Sequence, residues 1–154
     1  ELEAEVVPAE GLQLSAAVGY TDARYLEVAA SSAPVTVDSK LPNAPKWTAT
    51  AGATVEVYHN ESGSLSMRAD WSHRSGHYKD AVNSTLLFQK AANVVNISAT
   101  YQMVDRGWSL TAGITNLTDE RYLQSGHQDL ANVSTVNGSY SRPREWFVRG
   151  RYAF

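Results

Sequence analysis

Apolar and polar residues alternate with a period of two in about seven separate segments of the chain. In the third segment, for example, apolar residues at alternate positions from Trp47 to Val57 are separated by polar residues or glycine, such as Thr48 and Glu56. Successive side chains of a β-strand point to opposite faces, so each segment is predicted to be a strand with one apolar and one polar face. The predicted strands are Glu1–Val6, Leu12–Thr21, Trp47–Val57, Leu65–Ser72, Val95–Gln102, Trp108–Thr115 and Glu145–Phe154. The predicted fold class is therefore all-β and antiparallel.

The connections between these strands alternate between short turns and long loops. The short connections are Pro8–Gly11, Tyr58–Gly63 and Met103–Gly107, and the long ones are Leu26–Pro45, Ser75–Ala92 and Thr118–Arg144. Loops beyond about 12–15 residues are uncommon in compact domains unless they are functional or disordered. All the long connections fall at one end of the predicted sheet, which is typical of outer-membrane β-barrels. We therefore predict a transmembrane barrel segment whose last strand runs inward.

Aromatic residues of the apolar face are concentrated at the ends of the predicted strands. Between them, this face consists of Ala, Val, Leu, Ile and Met. Because Trp and Tyr favour the two lipid–water interfaces, this distribution predicts two aromatic belts around a hydrocarbon layer. The outer belt comprises Tyr20, Trp47, Trp71 and Trp146, and the inner belt comprises Tyr101, Trp108, Tyr152 and Phe154.

The opposite face is composed of Ser, Thr, Asn, Gln, Gly, Asp, Glu and Arg. A water-filled lumen favours this composition, whereas the outside of a soluble sandwich usually carries more Lys and Glu. A soluble β-sandwich with the apolar face as its core is the alternative interpretation of the same alternation. In a barrel, the charged residues predicted to face the lumen, and to pair there with one another or with a plug, are Arg68, Asp70, Glu145, Arg149 and Arg151.

Length, charge and composition narrow the class of protein further. The 154 residues suit one domain, and a net charge of −3 leaves no basic surplus for a phosphate backbone, so nucleic-acid binding is not expected. Uninterrupted apolar runs are about three residues long, far below the roughly 20 that a membrane-spanning helix requires. The absence of cysteine excludes disulfide and thiolate sites. The chain opens at Glu1 without an initiator Met, and we expect it to be a piece of a longer protein.

Motifs for catalysis or metal binding are weak in this sequence. His73 and His77 have the i, i+4 spacing of helical metal ligands, but Gly76 and the preceding strand argue against a helix. No Gly-x-Ser-x-Gly elbow or phosphate-binding glycine loop occurs. The neighbouring carboxylates Asp119 and Glu120 are expected to face solvent rather than converge on a substrate. We therefore expect no enzyme activity, no cofactor and no metal site.

Three segments and the final strand resemble motifs of TonB-dependent outer-membrane receptors. Ile114–Tyr122 is similar to the "N-L-[FT]-D-x-x-Y" segment that closes the penultimate strand in that family, and Gly138–Arg144 is similar to its "G-x-P-R" segment. Leu41–Pro45 resembles the "L-P-x-x-P" segment that precedes an earlier strand. The last strand resembles the signal that the outer-membrane assembly machinery reads, through Trp146, Val148, Tyr152 and Phe154. These motifs span the chain in register.

This resemblance implies that residues 1–154 are the C-terminal part of a plugged barrel of roughly 22 strands, without its plug domain. Such a receptor lies in the bacterial outer membrane, in contact with lipid, and imports a scarce nutrient, commonly an iron–siderophore complex or a cobalamin. A TonB-type energy-coupling protein drives the import through the plug. A self-contained small outer-membrane barrel, formed by one extra pairing or by two chains, is a further alternative.

The predicted external loops contain a mixture of aromatic and cationic residues. Such groups could contact an anionic or aromatic ligand, for example a catecholate chelate of iron. The ligand-binding candidates are Arg74, His77, Tyr78, His127, Tyr140 and Arg142.

Overall fold

The computed structural model describes residues 1–103, 107–129 and 135–153. Its main feature is a seven-stranded antiparallel sheet whose strands follow one another in chain order across it. The strands of this sheet are β1 (Leu2–Ala9), β2 (Leu12–Tyr20), β3 (Trp47–Asn60), β4 (Gly63–Arg74), β7 (Ala92–Met103), β8 (Trp108–Thr115) and β11 (Glu145–Tyr152). The sheet confirms the predicted all-β antiparallel class, and each predicted strand corresponds to one of these strands.

Short turns and long loops alternate along the sheet, as the sequence predicts. Short connections join β1 to β2, β3 to β4 and β7 to β8. Between the other neighbours lie the first long loop (residues 21–46), the second long loop (residues 75–91) and the third long loop (residues 116–144). Because neighbouring strands are antiparallel, all the long loops emerge at the same end of the sheet, which we call the loop end.

The long loops contain regular elements that the alternation did not predict. The second long loop folds into β5 (His77–Tyr78), a 3₁₀ turn (Thr85–Leu87) and β6 (Phe88–Gln89), and the third contains β9 (Leu123–Asp129) and β10 (Thr135–Tyr140). The first has a 3₁₀ turn at Ala30–Ser32. Two-residue strands are too short to show a period, and after Leu123 the strand β9 has no apolar residue that could alternate with polar ones. No helix in the described ranges has the length and apolar character to cross a membrane.

The strand register keeps apolar residues in continuous rows on one face of the sheet. Ala53 lies opposite Ala69, and Ala69 lies opposite Ile97. On β11, the apolar side chains Trp146 and Val148 are 76% and 74% exposed. In a β-sandwich the inner faces of two sheets bury each other, but in the described part of the chain no second sheet packs on this face. The soluble-sandwich alternative is therefore not what the structure shows.

The other face of the sheet carries the charged residues that the sequence predicts for a lumen. Arg68 and Asp70 lie on the polar face of β4, where Arg68 Nε donates to Asp70 Oδ2 at 2.9 Å. Glu145, Arg149 and Arg151 lie on the polar face of β11, opposite Thr115, Thr111 and Ser109. That this face borders a lumen stays a prediction.

The sheet is open, with β1 and β11 as its edge strands. With seven antiparallel strands, the two edge strands run in the same direction, so joining them directly would give a parallel pair. Outer-membrane barrels close through antiparallel neighbours. The sheet therefore needs further strands to close as such a barrel. Two copies side by side in one membrane orientation would also meet through a parallel pair, which argues against a barrel made of two chains.

Candidate functional site

A cavity of about 730 Å³ lies at the loop end, between the sheet and the second and third long loops. The ends of β4, β7 and β8 contribute its floor through Ser72, Val94 and Thr115. The walls come from the two loops, which explains why no single segment of sequence identifies the site. Its ionisable lining residues are Arg74, His77, Lys79, Lys90, Tyr122, Arg142 and Glu145.

Positive charge predominates around the cavity. The lining includes four Lys and Arg side chains but a single carboxylate, Glu145, among the described residues. Glu145 Oε2 lies 3.7 Å from Arg142 Nη1 in an exposed ion pair, so it offsets only part of this charge. A concave site lined by charges of one sign concentrates ions of the opposite sign. The arrangement is therefore suited to an anionic ligand.

His77 and Lys79 form a hydrogen-bonded pair in the wall made by the second long loop. The Nδ1 atom of His77 lies 3.0 Å from the Ser75 carbonyl oxygen, which can only accept, so Nδ1 carries the proton. The Nε2 atom then accepts from Lys79 Nζ at 3.0 Å. Burial lowers the pKa of His77, the bond to Ser75 opposes this effect, and the positive charges of Lys79 and Arg74 lower the pKa further. The geometry thus favours a neutral imidazole beside an ammonium group.

Lys79 also connects the second long loop to the first. Its Nζ donates to Asn43 Oδ1 at 3.1 Å, and the backbone N–H of Asn43 donates to the Tyr78 carbonyl at 2.8 Å. Burial lowers the pKa of Lys79, and Arg74 lowers it further. The two acceptors, His77 and Asn43, fix the position of the ammonium group at the cavity wall.

Gln89 and Leu87 connect the second long loop to the third. The Gln89 side chain is 8% exposed; its Oε1 accepts from the backbone N–H of Leu123, and its Nε2 donates to the Lys90 carbonyl at 2.7 Å. Leu87 is 2% exposed and packs against Gly126, where an added Cβ would lie 2.5 Å from Leu87 Cδ2. A buried polar side chain with both ends bonded is costly to displace. The two walls of the cavity are therefore joined.

Asn116 organises the point where the chain leaves β8. It has a φ of +51°, which Asn tolerates better than most residues. Its Oδ1 accepts from the Glu120 N–H at 2.8 Å, and its Nδ2 donates to the carbonyls of Glu120 at 3.0 Å and Arg142 at 3.1 Å. The Asn116 N–H in turn donates to Asn96 Oδ1 at 2.9 Å. This one side chain therefore fixes both ends of the third long loop, including the segment that positions Arg142.

The six predicted ligand-binding residues do not all lie together. Arg74, His77 and Arg142 line the cavity, whereas Tyr78, His127 and Tyr140 are not among its lining residues. The Tyr78 ring packs against Phe88 at 4.9 Å, His127 lies opposite Asn137 in the β9–β10 hairpin, and the Tyr140 ring lies 4.2 Å from the Arg121 guanidinium carbon.

Sequence reasoning missed several polar residues of the cavity, among them Lys79, Lys90 and Gln89. All three flank or belong to β5 and β6, which are too short to show a period. The positive charge of Lys79 and Lys90, which lie in one loop between two strands of the sheet, was the available signal. A charge count restricted to the second long loop would have found both lysines.

The two histidines with i, i+4 spacing are not brought together. The Nδ1 atom of His73 lies 3.0 Å from Asn93 Oδ1, and its ring stacks 6.0 Å from Trp71, in the apolar row of β4. His77 instead lines the cavity on the polar side. Across the described ranges, no group of three or more His, Asp or Glu side chains could hold a metal ion.

Aromatic side chains pair at both ends of the sheet. The rings of Tyr20 and Trp47 lie 4.7 Å apart at the loop end. Those of Trp108 and Tyr152 lie 4.8 Å apart at the opposite end of the sheet, where the short turns lie. Tilted ring pairs at these distances are favourable contacts. The membrane-interface role of the predicted belts and the assembly signal stay predictions, and Phe154 lies outside the described residues.

Known proteins share the fold of the seven-stranded sheet. The family described as TonB dependent receptor-like, beta-barrel matches residues 1–117. No curated protein matches the chain. FyuA, the ferric yersiniabactin uptake receptor of Yersinia pestis, aligns with a TM-score of 0.79 and 20% identity over 99% of this chain and 22% of its own.

Two receptors from Acinetobacter baumannii have the same fold. BauA, the ferric preacinetobactin receptor, aligns with a TM-score of 0.73, and the siderophore receptor PiuA aligns with a TM-score of 0.71. Both are 20% identical to this chain over 95% of its length and 20% of their own. The chain thus spans about a fifth of these receptors, whose family consists of outer-membrane receptors rather than enzymes. With a family match over most of its residues, the chain belongs to the TonB-dependent receptor β-barrel family.

Proposed function

We propose that this chain is the C-terminal barrel part of an outer-membrane receptor that imports an anionic metal chelate, such as a ferric siderophore. The observation that carries the proposal is the cationic cavity at the loop end, which Arg74, Lys79, Lys90 and Arg142 surround. Siderophore chelates built from catecholate or carboxylate groups carry negative charge, and Lys and Arg side chains bind such oxygen anions strongly. In this proposal the loops capture the ligand, and the polar face of the sheet leads inward.

Energy coupling belongs to other parts of the receptor. We propose that a plug domain, which these 154 residues do not include, fills the lumen and contacts a TonB-type partner. Arg68, Asp70, Arg149 and Arg151 would then face that plug from the barrel wall. The final strand, with Trp146, Val148 and Tyr152 on its exposed apolar side, would present the signal for outer-membrane assembly.

The experiment measures ligand affinity in the whole receptor polypeptide reconstituted in lipid vesicles. The probes are an anionic ferric tris-catecholate and a neutral ferric trishydroxamate. Lys90→Gln and Arg142→Gln are each expected to weaken binding of the anionic probe by about tenfold, because each removes one charged donor. Binding of the neutral probe should change little.

Lys46→Gln is the matched control, since Lys46 is exposed and is not among the cavity-lining residues. It removes the same charge without changing the site. Wild-type affinity for the anionic probe should fall as salt rises. Equal loss in Lys46→Gln and Lys90→Gln, or no preference for the anionic probe, would refute the cavity as the ligand site.

A further inference from the structure

Two contacts of different kinds join the second long loop to the third. Leu87 packs its buried side chain on Gly126 of β9, and Gln89 accepts the backbone N–H of Leu123 at the start of the same strand. Leu87 ends the 3₁₀ turn and Gln89 lies two residues later in β6, so one short segment carries both contacts. We call this set of four residues the loop clamp.

The loop clamp joins the two loops that carry the cationic walls of the cavity. The second long loop contributes Lys79 and Lys90, and the third contributes Arg142. Leu87 and Gly126 are not among the lining residues, so they affect a ligand only through the position of the walls. Leu87 is also tied to the wall itself, because its carbonyl oxygen accepts from the Lys79 N–H at 3.0 Å.

We propose that the loop clamp makes the two loops one rigid unit and that Gly126 and Gln89 are positioning residues, which set the distance between the lysines and Arg142. Gly126 leaves room for Leu87: an added Cβ at position 126 would lie 2.5 Å from Leu87 Cδ2, whereas carbon atoms in contact lie about 3.5–4.0 Å apart, so one of the two would have to shift. Because Leu87 is 2% exposed and has little room to move, the methyl group of a Gly126→Ala variant would push the walls apart. The joining of the loops follows from the structure alone, whereas its effect on ligand affinity rests on the proposed function.

The first measurement is a double-mutant cycle read by amide hydrogen exchange in the whole receptor in vesicles. Gly126→Ala is expected to raise exchange at Leu123 by about tenfold or more, because it separates the N–H from Gln89. Leu87→Ala removes the obstructing side chain, so the double variant should recover part of the protection. Gly150→Ala is the control, since a Cβ there meets nothing within 4 Å.

Gln89 gives an independent test of the second contact. Gln89→Glu keeps the oxygen that accepts from Leu123, whereas Gln89→Leu loses it. The Glu variant loses the donor to the Lys90 carbonyl but keeps the acceptor, so Leu123 should keep more of its protection in the first variant than in the second. Additive effects in the Leu87 and Gly126 cycle, together with equal exchange in the two Gln89 variants, would overturn the clamp.

The second measurement is affinity for the anionic ferric tris-catecholate. Gly126→Ala should weaken it about tenfold, and Leu87→Ala in the same chain should restore part of the loss. Coupled exchange with unchanged affinity in every variant would refute the positioning role. If the wild-type receptor binds no chelate while the exchange cycle still shows coupling, the proposed function fails and the clamp stands.

Discussion

Replacing Asn116 by Ala should release the third long loop from the sheet. The substitution removes three side-chain hydrogen bonds, to the Glu120 N–H and to the carbonyls of Glu120 and Arg142. Each contributes about 1 kcal/mol net. Ala at a φ of +51° adds a backbone cost of about 1 kcal/mol. The free energy of opening this loop should therefore fall by about 4 kcal/mol.

Amide hydrogen exchange over residues 117–122 of the whole receptor measures this opening. A loss of about 4 kcal/mol corresponds to an increase of up to about three orders of magnitude in exchange. Asn116→Gly separates the two causes, because it loses the same hydrogen bonds but adopts the positive φ freely. It should recover about 1 kcal/mol relative to Ala. Exchange in Asn116→Ala within threefold of wild type, on the order of 0.6 kcal/mol, would refute this reasoning.

Three further outcomes are expected. The pKa of His77 is lowered in the folded loop, so the open loop binds a proton more readily as the pH falls. Protection of the second long loop against amide exchange should therefore hold above about pH 6.5 and fall as the pH drops below it. His77→Gln should remove that dependence in an exchange series from about pH 7.5 to about 5. Ala69→Arg, on the apolar face, should lower the free energy of unfolding of the receptor in vesicles by about 2–4 kcal/mol, as measured in urea. Ser66→Arg, on the polar face, should not lower it, and equal effects of the two variants would contradict lipid contact of the apolar face. Asp70→Asn should cost under about 1 kcal/mol in the same assay, since its ion pair with Arg68 is partly exposed.

The sheet was predictable because its information is local. A strand with one apolar and one polar face repeats every two residues, so each segment identifies itself without its neighbours. The limits of β3 and β4 were less predictable. Asn60 Oδ1 accepts from the N–H groups of Ser62 and Gly63 and closes a tight turn, so the ladder extends through polar residues to the turn itself.

The candidate site was only partly predictable because its contacts are distant in sequence. Arg74 and Arg142 follow from charge near predicted loops, but Gln89 and Leu123 are 34 residues apart and neither belongs to a motif. The sequence gives no sign that Gln89 is buried, because its burial depends on a loop that is distant in sequence. Gly126 is similar, since its role depends on Leu87 filling the space that a side chain at position 126 would need.

Sheet and loops therefore carry different kinds of information in this chain. At 20% identity, FyuA shares the fold over nearly the whole chain, which means that the sheet requires a pattern of apolar and polar positions rather than particular residues. The cavity depends instead on individual side chains in the loops, with Lys79 held by His77 and Asn43, and Arg142 held near Asn116. Loop substitutions can change the charge of the site while the alternation of the strands stays intact. The ligand of the proposed receptor must accordingly be determined from its own loops, since a similar sheet does not imply a similar cavity.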